Sequence, residues 1–128
     1  MKRFIQISLV ACLFLLSANT VLAQDKVRNE TNCDMFVRAA YGPVGSCTST
    51  GFIDAVVPPG TSIVLGIPAG TEIIAAKGAY TVTLPACAFY VALTCAGGPL
   101  ADFVPCSAGN CVDYKAVLYP GIGIRIYD

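Results

Sequence analysis

Residues 58–77 read PPGTSIVLGIPAGTEIIAAK, and this stretch decides the fold class. Two runs with the texture of strands, 61–67 and 72–77, are each preceded by a breaker, Pro58-Pro59-Gly60 and Pro68-Ala69-Gly70. Proline cannot donate to a sheet ladder and glycine tolerates positive φ, so each triplet ends one strand and turns the chain into the next. In the first run Ile63, Leu65 and Ile67 share one side, opposite Ser62, Val64 and Gly66, which is the two-residue period of a half-buried strand. In the second, Ile73, Ile74, Ala75 and Ala76 are apolar without a break, the pattern of a central strand covered on both sides. The echo of Pro59-Gly60-Thr61 in Ala69-Gly70-Thr71 marks two successive hairpin turns, since a repeat architecture needs more copies.

The same grammar extends outward. Further runs cover 35–41, 52–57, 80–84, 89–94, 112–119 and 122–127, separated by Gly42-Pro43, Gly97-Gly98-Pro99 and Pro120-Gly121. No stretch holds a helical period. The expectation is an all-β fold, a small disulfide-stapled β-sandwich of about seven or eight short strands. The final run alternates Ile122, Ile124 and Ile126 against Gly123, Arg125 and Tyr127, so it is expected to pair inside the sheet. Residues 86–96 are apolar between Cys87 and Cys95 and read as a core strand pair under one bridge. The polar residues 24–31 read as a flexible lead-in, and 32–128 as a single domain.

Residues 1–23 have the order of a cleavable signal peptide: basic Met1-Lys2-Arg3, an apolar run over 4–16, then small residues up to Ala23. The apolar run is too short for a membrane span, so no transmembrane segment is expected after cleavage before Gln24. The product is expected to be secreted, periplasmic or held at the cell surface. Removing 23 residues from 128 leaves 105, one domain by length. Six cations then face eight acids, and Lys26, Arg28, Arg38, Lys77, Lys115 and Arg125 are scattered singly along the chain. That scatter argues against a nucleic-acid partner, which needs clustered positive charge.

Cys12 departs with the leader, and Cys33, Cys47, Cys87, Cys95, Cys106 and Cys111 remain. An even count in a small exported domain is a disulfide framework. Six cysteines allow 15 connectivities. Chain proximity favours Cys87 with Cys95, Cys106 with Cys111 and Cys33 with Cys47. A zinc site is disfavoured by the lack of a C-x-x-C spacing and of histidine.

The chemistry is mostly exclusion. Without histidine there is no Ser-His or Cys-His nucleophile pair, and bridged thiols do not attack. Paired carboxylates are the remaining simple device, with Asp34, Asp54, Glu72, Asp102 and Asp113 as candidates that spacing does not bring together. Gly121-Ile122-Gly123 lacks the third glycine and following helix of a nucleotide loop, and no cofactor is expected. Asn29-Glu30-Thr31 matches the N-glycosylation pattern. The clusters Thr48-Ser49-Thr50 and Thr81-Val82-Thr83 form no regular array.

One local pattern resembles a known family. Asn32-Cys33-Asp34-Met35-Phe36-Val37-Arg38-Ala39-Ala40 is similar to the first strand of thaumatin-like proteins, in which Asn-Cys leads into Val-x-Ala-Ala. Gly60-Thr61-Ser62 and Gly70-Thr71 are spaced like that family's Gly-x-Ser strand and following Gly-Thr turn. The resemblance spans 32 to about 77. It departs at Ile63, where the family carries an aromatic, and in chain length, cysteine number and the acidic cleft. It implies a β-sandwich core with glucan binding or hydrolysis, and no cleft residue carries over.

The expected function is therefore an exported, non-enzymatic binding, adhesion or surface-structural module. Its partner would be a protein or a polysaccharide, and self-association into a homo-oligomer is open to it. The long connections 42–51 and 97–110 are the expected contact loops, clustered at one end of the sandwich. Two alternatives are a thaumatin-like carbohydrate-active protein and an inhibitor of a secreted hydrolase acting through Ser107-Ala108-Gly109-Asn110.

Overall fold

The computed structural model describes residues 25–107 and 109–128. The leader, its cleavage point and Cys12 lie outside the described residues. The strands are β1 (Lys26–Glu30), β2 (Met35–Pro43), β3 (Gly51–Val57), β4 (Thr61–Val64), β5 (Thr71–Tyr80), β6 (Ala88–Ala92), β7 (Ala101–Val104), β8 (Tyr114–Tyr119) and β9 (Gly123–Tyr127), with a 3-10 turn at Thr94–Ala96. They form two sheets, β4-β1-β9-β8-β7 and β3-β2-β5-β6, stacked as a sandwich. Every described pairing is antiparallel except β1 with β9, which run parallel. Among the described residues no helix is long and apolar enough to cross a membrane.

The core lies between the sheets because each strand turns its alternate residues inward. Val27, Met35, Val37, Val57, Ile73, Val91, Leu118 and Ile126 are buried there. Burying each is worth roughly 1.5–3 kcal/mol relative to exposure. Three rings close one end of this core: Tyr80 meets Tyr114 edge-on at 5.0 Å, and Phe89 meets the same ring at 6.2 Å. A buried phenol needs an acceptor, and Tyr80 donates to the Val112 carbonyl at 2.7 Å while Tyr114 donates to that of Cys87. Desolvation raises the pKa of both hydroxyls.

The expected flexible lead-in 24–31 holds a strand in its described part, where Lys26–Glu30 lies between β4 and β9 inside the five-stranded sheet. Its inward positions are Val27 and Asn29, so the usual apolar alternation is broken by a buried amide. The expected run 80–84 is a set of turns after β5, which continues from Thr71 to Tyr80 through Gly78. A side chain at Gly78 would strike the Phe36 carbonyl of the neighbouring strand, so only glycine lets β2 and β5 approach there. Residues 86–96 hold one strand and the 3-10 turn rather than a strand pair. Ile122 lies in the turn before β9 and is 70% exposed, whereas Ile124 and Ile126 are buried as expected.

The bridges are Cys33–Cys111, Cys47–Cys95 and Cys87–Cys106, with Cα separations of 5.7, 5.9 and 5.3 Å. This corrects all three pairings expected from chain proximity. Cys33 and Cys47 flank the nine-residue β2 on opposite ends, and an extended strand of that length spans about 30 Å. Cys87 and Cys95 likewise flank β6. Cys106 and Cys111 share the β7–β8 connection, yet each reaches a different neighbouring connection at the same end of the sandwich. Two bridges thus tie one end and Cys47–Cys95 ties the other. Cys47 and Cys87 both hold positive φ, 55° and 57°, a region that is uncommon for any residue with a Cβ.

Candidate functional site

Strand polarity separates the expected contact loops. Residues 44–50 and 97–100 connect strands at one end, but β7 carries the chain across, and 105–107 and 109–113 lie at the other end. The loops therefore do not form one cluster. Asn110, in the segment proposed as an inhibitory loop, accepts through its carbonyl a hydrogen bond from the Asn32 side chain.

The outer face of the four-stranded sheet gathers a site instead. Register aligns three rows across β3, β2, β5 and β6. The central row is Asp54–Arg38–Lys77–Tyr90. Beside it run Phe52–Ala40–Ala75–Ala92 on one side and Val56–Phe36–Ala79–Ala88 on the other. Neighbouring strands lie about 4.8 Å apart, so each row is about 14 Å long. Small alanine side chains leave a floor, while Phe52 on the β3 edge and Tyr90 on β6 stand up from it, 67% and 46% exposed. The result is an open trough of about 660 Å³. The outer side of the apolar run 73–76, expected to be covered, is part of that floor at Ala75.

The trough's polar groups are arranged at its centre. Arg38 Nε and an NH2 group donate to the two carboxylate oxygens of Asp54 at 2.7 and 2.8 Å, a fork-on-fork geometry that fixes both side chains. That bond holds the Asp54 carboxyl below its ordinary pKa and raises the guanidinium of Arg38. Lys77 makes no ion pair among the described residues. On the far side β6 is closed off: the Tyr90 amide donates to Asp102 at 2.9 Å and the Ala92 amide to the Pro99 carbonyl at 2.8 Å.

Four of the five candidate carboxylates are tied to separate structural partners. Asp54 holds Arg38, Glu72 accepts from the Gly45 amide, Asp102 from Tyr90 and Asp113 from Cys106. Asp34 is exposed on the β1–β2 connection. The carboxylate that sequence reasoning overlooked is Asp25, which is buried just before β1. Desolvation raises its pKa, the Ile73 amide opposes this, and the nearby charge of Glu72 adds to it. Among the described residues no three histidine, cysteine, aspartate or glutamate side chains gather as a metal set. Asn29, the candidate glycosylation acceptor, is fully buried.

The signal for the trough was present as the alternation Phe52, Asp54, Val56, whose large apolar members point outward. Only the register of β2 against β3 places Arg38 beside Asp54. No protein-family model, no curated protein and no solved structure matches this chain.

Proposed function

We propose that the chain is an exported, non-catalytic binding module that holds a saccharide chain against the open face of its four-stranded sheet. The observation that carries this reading is the pair of exposed rings, Phe52 and Tyr90, flanking the Arg38–Asp54 fork and Lys77. Sugar rings present an apolar face that packs on an aromatic ring and hydroxyls that exchange hydrogen bonds with charged groups, and the trough offers both. Export rests on the basic, apolar and small-residue order of 1–23 and is supported by three disulfides. The absence of catalysis rests on the missing histidine and on carboxylates committed to separate partners.

The thaumatin-like reading, a carbohydrate-binding or glucan-hydrolysing protein, stands beside it. Residues 32–77, which carry the resemblance, form β2, β3, β4 and most of β5. They supply three of the trough's four central positions, Asp54, Arg38 and Lys77. A panel of immobilised polysaccharides tests both readings. Phe52→Ala and Tyr90→Ala should each weaken retention by about tenfold, the scale of losing one well-placed aromatic contact. Wild-type retention that neither substitution changes would sink the trough as the site. Multiple-turnover hydrolysis lost on Asp54→Asn with folding intact would replace binding by catalysis.

A further inference from the structure

The outer face of the other sheet has a different character. Its strands bring together cations that are far apart in the chain. Lys26, Arg28, Arg125 and Lys115 all point outward from β1, β9 and β8, and Glu30 is the single acid among them on these strands. Four of the six cations in the described residues therefore share one face. Arg28 and Arg125 are directly opposite in the parallel β1–β9 pair, an arrangement that like charges disfavour. Both lean on one carboxylate: Glu30 takes Arg28 at 3.0 Å and Arg125 at 2.5 Å. Lys26 and Lys115 make no ion pair among the described residues. The face is left with a net charge of +3, four cations against one acid.

The shape of the face narrows the partner. Gly123 lies between Lys26 and Tyr119 in register, and its φ of 143° and close approach to the Lys26 backbone admit no side chain. Beside it lies an open depression of about 580 Å³, bordered by Tyr119 and the exposed Ile122 and lined by Lys26, Arg28 and Arg125 together with Glu30. Lys115 continues the charge beyond it, in the row of Glu30 and Tyr127. Two strand spacings and two residue pairs separate Lys26 from Lys115, a diagonal of about 16 Å. A single small anion reaches only one end of that line, and a flat bilayer meets only the rim of a depression.

We propose that the outer face of the five-stranded sheet binds a linear acidic polysaccharide, whose carboxylate or sulfate groups pair with Lys26, Arg28, Arg125 and Lys115 while a sugar ring packs beside Tyr119 and Ile122. This surface is separate from the trough and independent of what the trough holds.

The oxidised, leader-free chain is passed over surfaces coated with polygalacturonate, dextran sulfate or plain dextran, at low salt and at about 0.15 M salt, where screening shortens the reach of exposed charges to about 8 Å. Retention on one or both acidic polymers is expected to exceed that on dextran by at least about tenfold at low salt and to fall as salt rises. The stronger of the two arms assigns carboxylate or sulfate. Lys26→Gln with Lys115→Gln, a pair whose side chains hold nothing in the fold, should lower that retention by about tenfold. Acidic-polymer retention that is lost in Phe52→Ala and kept in the double variant overturns the proposal, because it puts the polymer in the trough. Equal retention on dextran, or insensitivity to the double substitution in a protein with wild-type melting, overturns the proposal. Stronger capture by anionic phospholipid vesicles or by duplex DNA than by either acidic polysaccharide also overturns it.

Discussion

The side-chain amide of Asn29 donates to the backbone carbonyl of Val57 at 2.8 Å and so ties β1 of one sheet to the end of β3 in the other. The same nitrogen donates to the Cys33 carbonyl at 2.8 Å, and its oxygen accepts from the Thr31 amide and hydroxyl at 3.0 and 2.6 Å. Both donors of one buried amide are thereby used. Among the described residues no buried side-chain nitrogen or oxygen lacks a partner. A buried polar network satisfied at every atom rigidifies its neighbourhood, and one broken at a single atom is costly.

Asn29→Ala should therefore lower stability by about 2–4 kcal/mol, because it takes the side-chain partner from the Val57 carbonyl and the Thr31 amide, while the Thr31 hydroxyl still reaches the Cys33 carbonyl. Urea unfolding with an unchanged m-value checks it. The glycosylation pattern at Asn29 should also be silent in folded protein, since a glycan would attach at the nitrogen that makes both bonds. Intact-mass measurement on folded material from a glycosylating host should find no added glycan there.

Proteolysis without reduction should release three linked peptide pairs, Cys33 with Cys111, Cys47 with Cys95 and Cys87 with Cys106. Recovering Cys87 joined to Cys95 would contradict the fold, because β6 holds those residues at opposite ends of the sandwich. Replacing Cys47 and Cys95 together by alanine should cost about 2–5 kcal/mol.

The last strand offers a contrast within one sequence pattern. Ile124→Ala should destabilise by about 2–5 kcal/mol, the range for truncating a core isoleucine, while Ile122→Ala should stay within about 0.5 kcal/mol. Thermal melts of the two variants decide it. Equal losses would mean that Ile122 is packed rather than exposed in its turn.

Stability should fall in acid for a nameable reason. The folded state holds Glu30 below its ordinary 4.5 through Arg125, and Asp54 below its ordinary 3.8 through Arg38. Lowered acids contribute stability that is complete above those ordinary values and is lost as pH falls through the folded ones. Arg38→Gln should flatten part of this acid loss. Asp25 has the opposite sign: its folded pKa lies above 3.8, so ionising it costs stability as pH rises through that region. Asp25→Asn should therefore raise the melting temperature more at pH 7 than at pH 3.

Much of the sandwich was legible from residue order because its causes are local. Proline and glycine triplets end strands wherever they fall, and alternation such as Ile63, Leu65 and Ile67 names the buried side. Seven of the nine strands carry those marks. β1 does not, because one of its two inward residues is Asn29, whose burial depends on carbonyls of Cys33 and Val57 brought up by other segments. β7 does not, because four residues with an aspartate among them are too few to show a period.

Cysteine number and the lack of histidine were properties of the sequence itself, and they limited the chemistry before any fold was known. Disulfide partners and both candidate binding faces were settled only by the tertiary structure. A bridge joins residues within about 6 Å in space, and a strand carries neighbours in the chain to opposite ends of the sandwich. A sheet face is built from register, which sets Arg38 beside Asp54 and Arg28 beside Arg125 across 16 and 97 residues of chain. Cations scattered singly along the sequence thus become one charged surface, since pairing between strands, not order along the chain, decides which side chains are neighbours.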